Sequence, residues 1–216
     1  MRNRFDDQLS ELNKKMIEMS AICEQLIDKA ASALVNDDTA LARQVITDSE
    51  GIDSSEREIE GLCVKLLLQQ QPVAGDLRQI SAALKMVTDI ERIGDQAEDI
   101  AEIIPFLKGQ DSWNHELIRR MAQTAIQMVN RSIDAFVSKD AELAENVIIQ
   151  DDVVDELFLE MKKELIKMIA ENPQQGEYAL DLLMISKYFE RIADHAVNIA
   201  EWVIYSVTGE MKGEKQ

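Results

Sequence analysis

The chain has 216 residues, 46% of them apolar and 30% charged, enough for one large domain or two modest ones around a buried core. With 8 Gly, 3 Pro and 5% aromatic residues it lacks the turns and side chains of a sheet protein. A net charge of −18 argues against nucleic acid or an anionic membrane surface as a partner and favours cations and basic protein surfaces.

A first helix is predicted over 6–35. Asp6, Asp7 and Glu11 fall where the apolar stretch of a signal peptide would sit, and no apolar run reaches membrane-spanning length. Cys23 and Cys63 occupy apolar positions of predicted helices, so a cytoplasmic protein with reduced core thiols is expected. Asn36-Asp37-Asp38 is a turn and cap signal, and a second helix follows over 39–70 carrying Glu50, Asp53 and Glu56. Gln71-Pro72 ends it, because the residue before proline avoids the helical region.

The third helix, 74–104, has apolar positions at Leu77, Ile80, Leu84 and Val87, and the same 3-4 spacing then reaches Glu91, Gly94, Glu98 and Ala101. Glu91, Asp95, Glu98, Asp99 and Glu102 share an arc of about 100° on a helix turning 100° per residue. No Lys or Arg occurs between Ile93 and Leu107 to offset the like-charge i,i+4 pairs. Pro105 through Ser112, with Gly109 and Asp111, reads as the loop between two halves expected at 1–108 and 109–216. A fourth helix (112–138, with His115 near its start), a fifth (141–171, capped by Asp140) and a sixth (176–208, after Asn172-Pro173) complete the chain. The sixth puts Leu183 and Ser186, then Glu190, Ala193 and Val197, on its inward seam. No basic residue is expected on the helical faces of Glu91 and Glu190.

The two halves repeat. Residues 91–102 and 190–201 agree at 8 of 12 positions, 99 residues apart. At an offset of 102, Asp38 meets Asp140, Ile52-Asp53 meets Val154-Asp155, and Glu50 meets Asp152. The expected fold is therefore all-α, a tandem repeat of two three-helix bundles (six long helices) related by a pseudo-twofold axis. Helices of this length run about 45 Å.

Acids from the second and third helices of each half should face one another. Oxygen-only donors select hard or borderline cations, so Glu91, Asp95, Asp99 and Asp53 in one half, and Glu190, Asp194 and Asp155 in the other, are candidate metal ligands, with Glu56 and Asp151 on their own helical seams beside them. Salt bridging to neighbouring helices is the competing reading. His195 could assist a metal, but Gln96 stands at the equivalent place. The Glu-x-x-His pairs of di-iron bundles are absent, as are Walker A, dinucleotide and nucleophile-elbow motifs.

Three stretches carry a family resemblance: Gln70-Gln71-Pro72-Val73-Ala74-Gly75-Asp76-Leu77-Arg78, Asp89-Ile90-Glu91-Arg92-Ile93-Gly94-Asp95, and Tyr188-Phe189-Glu190-Arg191-Ile192-Ala193-Asp194-His195-Ala196-Val197-Asn198-Ile199-Ala200-Glu201. Through them the chain resembles the PhoU family of phosphate-specific transport system accessory proteins, over its whole length. The resemblance implies a non-enzymatic, negative regulator of phosphate uptake and of the phosphate-starvation response. It implies an adaptor between the ATPase subunit of the Pst phosphate transporter and a sensor histidine kinase, peripheral to the membrane through its partners only, and a homodimer. Some members carry metal clusters on the repeated Glu/Asp-x-x-x-Asp motif, which falls here on Glu91/Asp95 and Glu190/Asp194, with Asp99 and Asn198 one turn on. Divalent or trivalent ions such as Fe, Zn, Mn or Mg are thereby expected. Gln96 departs from the usual Gly-Asp-His-Ala pattern in the first copy. A carboxylate-bridged storage or oxidase protein is the alternative reading.

Overall fold

The computed structural model of the chain describes residues 2–69, 73–107 and 116–210, with side chains from Phe5 onward except at Gln69. The helices are α1 (Arg2–Asn36), α2 (Thr39–Gln69), α3 (Ala74–Ile103), α4 (Glu116–Ser138), α5 (Ala141–Glu171) and α6 (Gly176–Thr208), with 3-10 turns at Ile104–Phe106 and Pro173–Gln175. There is no strand among the described residues. The predicted breaks at Gln71-Pro72, Gly109 and Asp111, and His115, lie outside the described residues.

The duplication extends to single hydrogen bonds. Asp37 and Lys139 take the left-handed conformation (φ 51° and 56°) that ends α1 and α4. The next residues, Asp38 and Asp140, donate their N–H groups back to the carbonyls of Ala33 and Ala135, each at 2.9 Å. Their carboxylates then cap the following helices: Asp38 Oδ1 accepts from the Leu41 N–H and Asp140 Oδ1 from the Leu143 N–H, each at 3.0 Å. One aspartate thus closes one helix and opens the next, which makes α1/α2 and α4/α5 tight antiparallel pairs.

Helices α1, α2 and α3 pack on one another, as do α4, α5 and α6, and the bundles join through α1 on α4 and α3 on α6. Like elements meet like elements, the pattern a twofold relation requires. Buried apolar residues of both repeats form one continuous core, from Phe5 on α1 to Val203 on α6. The α2 and α5 helices lie outermost, each against two helices of its own repeat. Cys23 and Cys63 are buried free thiols, and Cys23 Sγ donates to the Ile90 carbonyl at 3.3 Å.

Gly94 sets the approach of α2 to α3. A Cβ built there would overlap Cδ1 of the buried Ile52. At the equivalent positions the second repeat carries Ala193 and the smaller Val154. Gly94→Ala gains about 1 kcal/mol of helix propensity but overpacks the contact, at about 1–3 kcal/mol. Adding Ile52→Val relieves that overlap. Urea unfolding of both single variants and the double should give a favourable interaction energy of about 1 kcal/mol; strict additivity would refute the contact.

Candidate carboxylate site and the seam between the repeats

In the first repeat the arc read from the sequence faces α2. Glu91 is half-buried, and its pKa is pushed up to about 7 by burial first, then by the charges of Asp95, Glu56 and Asp53, with Arg92 opposing. Asp95 is raised by burial and by Glu98 and Asp53, while its hydrogen bond with Glu91 pulls the other way. Asp99 is raised by burial and by Glu102, Asp95 and Glu98, against Arg191. Glu56 follows the same pattern through burial, Glu60 and Asp53, and is hydrogen-bonded to Thr88. Glu98 accepts from the Ser49 hydroxyl. Protons or cations are what this face lacks.

Asp53 contributes charge from the rim, where it is exposed and 3.7 Å from Arg57 one turn on. Among the described residues, no three His, Cys, Asp or Glu side chains stand ready to hold a metal ion. The donor set is nevertheless of the right chemistry, all oxygen and mutually repelling, with Glu91, Glu56 and Asp99 half-buried and Asp95 and Asp53 exposed. Glu91, Asp95 and Glu56 would hold a cation with Asp53 and Asp99 at its margins. The cation would supply the positive charge the acids lack.

The second repeat differs, and it corrects one expectation. Lys187 lies three residues before Glu190 on the same helix, pairs with it, and sits 5.6 Å from the centre of the Phe158 ring on α5. Glu190 therefore does have a basic partner on its helical face. Asp194 is raised by burial, then by Glu190 and Asp155, with Lys187 and His195 opposing. Asp155 is exposed. Asp151, on α5, is pushed up to about 6 by burial and by Asp155, Asp194, Glu190 and Asp152, and its Oδ1 is buried without a hydrogen-bond partner.

The sequence did not reveal what His195 does. Its Nδ1 lies 2.9 Å from Asp89 Oδ1 on α3, and Asn198 Nδ2 donates to the same oxygen at 3.1 Å. These bonds cross the seam between the repeats and set α3 antiparallel to α6. Tyr188 stands at the position equivalent to Asp89, and Gln96 at that of His195, so the clasp occurs once. On that other side Gln96 Oε1 is buried without a partner. Arg92, Asp95, Gln96, Arg191, Asp194, His195, Val197 and Asn198 line a cleft along this seam.

Against known proteins, a family model described as PhoU domain matches residues 16–104 and again 118–203. The chain belongs to the PhoU family. It is 38% identical to a phosphate-specific transport system accessory protein PhoU homolog of Aquifex aeolicus, over 94% of this chain and 93% of that one. It is 34% identical to another of that description from Clostridium acetobutylicum, over 96% of each. The crystal structure of PhoU from Pseudomonas aeruginosa superposes with a TM-score of 0.90 at 35% identity, covering 95% of this chain and all 100% of that one. That of the phosphate transport system regulatory protein PhoU from Streptococcus pneumoniae gives 0.88 at 26% identity, over 96% of this chain and 99% of that one. The two PhoU matches fall one on each repeat, and the clasp joins them.

Asp89→Ala should cost this PhoU protein about 1–3 kcal/mol, because two donors lose their acceptor in a half-buried seam. Asp89→Asn keeps an acceptor oxygen and should cost less. Guanidinium unfolding compares them; an unchanged midpoint in Asp89→Ala would show that the clasp does not hold the repeats together.

Proposed function

We propose that the protein is a non-enzymatic, negative regulator of phosphate uptake and phosphate-starvation signalling. It acts as an adaptor, binding the ATPase subunit of a phosphate transporter and a sensor histidine kinase. The observation that carries this reading is the match of both repeats, over nearly the whole chain, to proteins described as accessory to phosphate-specific transport or as its regulators. The acidic character of the surface suits basic docking segments. No described helix is long and apolar enough to cross a membrane. The adaptor reading, through its proposed partners, puts the protein on the cytoplasmic side, at the membrane through those partners only, as a homodimer.

The repelling carboxylates of Glu91, Asp95, Asp99 and Asp53 give the adaptor a cation-dependent face. A bound ion would relieve their repulsion and hold α2 and α3 in one arrangement, fixing the surface a partner meets. Glu190, Asp194 and Asp155 form the corresponding acidic face of the second repeat. Affinity capture of the tagged protein from cells grown at high and low phosphate tests the adaptor role. The transporter ATPase and the kinase are the expected companions, and recovery of neither at either phosphate level would overturn it.

A further inference from the structure

We propose that Lys187 is the resident counter-ion of the second acidic face and confines cation uptake to the first repeat. The proposal rests on the reading that the first repeat takes a cation. Its ground is a comparison of equivalent positions. Glu91 and Asp95 correspond to Glu190 and Asp194, and Asp53 to Asp155. The residues around them have changed together: Thr88 has become Lys187, and Glu56 has become Phe158.

In the first repeat the carboxylates of Glu91 and Glu56 repel each other, and Thr88 is a neutral hydrogen-bond partner of Glu56. In the second repeat the acid has given way to a ring, and the ammonium of Lys187 sits on both that ring and Glu190. An ammonium held between a carboxylate and an aromatic face is doubly stabilised. A divalent ion approaching Glu190 and Asp194 must displace that ammonium or bear its repulsion in a partly desolvated site. The same-sequence duplication has thus diverged into one face that needs an added charge and one that carries its own. Glu190 is well covered, with 13% of its side chain exposed, while Lys187 reaches it from the rim with 39% of its side chain in solvent. What Lys187 does not reach is Asp151, whose buried Oδ1 keeps no partner.

Mn2+ titration of the full chain, read by the free-ion electron paramagnetic resonance signal, tests this with four variants. Glu91→Gln should weaken binding at least tenfold, and Glu190→Gln should leave the number of ions bound unchanged. Lys187→Thr, which installs the first repeat's residue, should add a second class of sites, and Lys187→Thr/Glu190→Gln should remove it. Equal losses in Glu91→Gln and Glu190→Gln would overturn the proposal. So would a Lys187→Thr variant that gains no site while Glu91→Gln loses its own.

The resident role has its own readout, melting in chelator. Lys187→Thr should melt about 2–4 °C lower than the parent, and Lys187→Thr/Glu190→Gln should recover most of that. Equal melting of parent and Lys187→Thr would overturn the counter-ion role whatever Mn2+ does. No Mn2+ bound by any form, with the melting pattern intact, would instead overturn the cation reading of the first repeat. Lys187→Gln, closer in length, serves where circular dichroism shows that the threonine variant has lost helix.

Discussion

Replacing Phe189 by alanine should lower the melting temperature by roughly 10 °C, from a cost of about 3–5 kcal/mol at about 2–4 °C per kcal/mol for a chain of this size. Phe189 is among the largest side chains buried without exposure. It lies on α6, the helix that packs on α3, α4 and α5 at once, so the cavity cannot be closed by moving one neighbour. The equivalent position in the first repeat is the smaller, equally buried Ile90. Phe189→Leu keeps most of the volume and should cost less than about 1.5 kcal/mol. Because the core runs through both repeats, the loss should appear in a single unfolding transition. Calorimetry that resolves two transitions, with only the second displaced, would show that the repeats unfold separately.

The second large effect is a loss of stability as pH rises. Glu91 titrates near 7 in the folded chain against an ordinary 4.5, so the folded state binds the extra proton between those values. Its contribution to stability is therefore full below about pH 4.5, is lost as pH rises from there through about 7, and is flat above, the sign for a carboxyl whose folded pKa is raised. Asp151, pushed up to about 6, and the raised Asp95, Asp99 and Asp194 act in the same direction. In chelator the melting temperature should drop by several degrees between pH 5 and 8. Glu91→Gln cannot ionise and should flatten much of that slope. A parent protein that melts at the same temperature at both pH values would remove the physical basis of the cation-dependent face. Divalent ion added at pH 8 should restore what the proton supplied, since a ligand of the folded state stabilises it.

Much of the carboxylate face was legible beforehand because it is a one-helix property. Glu91, Asp95, Glu98, Asp99 and Glu102 fall together by spacing alone, and no Lys or Arg occurs between Ile93 and Leu107 to offset them. The expectation of no basic residue on the face of Glu190 fails because Lys187 stands three residues before it, one turn away on the same helix. Asp89 gave no local signal at all. Its partners, His195 and Asn198, lie more than a hundred residues away, and only the antiparallel register of α3 and α6 brings them together.

The sequence by itself determined the six helices, their caps at Asp38 and Asp140, the twofold repetition and the family. Those follow from periodicity, capping chemistry and duplication, which are local or self-referential patterns. Only the tertiary structure decided how the copies differ. Lys187 stands one turn from Glu190 on its own helix, but which serine, threonine or ring meets the acids depends on the neighbouring helices. Ser49 of α2 reaches Glu98, Thr88 of α3 reaches Glu56, and Phe158 of α5 lies beside Lys187. Those neighbours hold Lys187 between Glu190 and Phe158 in one repeat and set Glu91 in the field of Glu56 and Asp53 in the other.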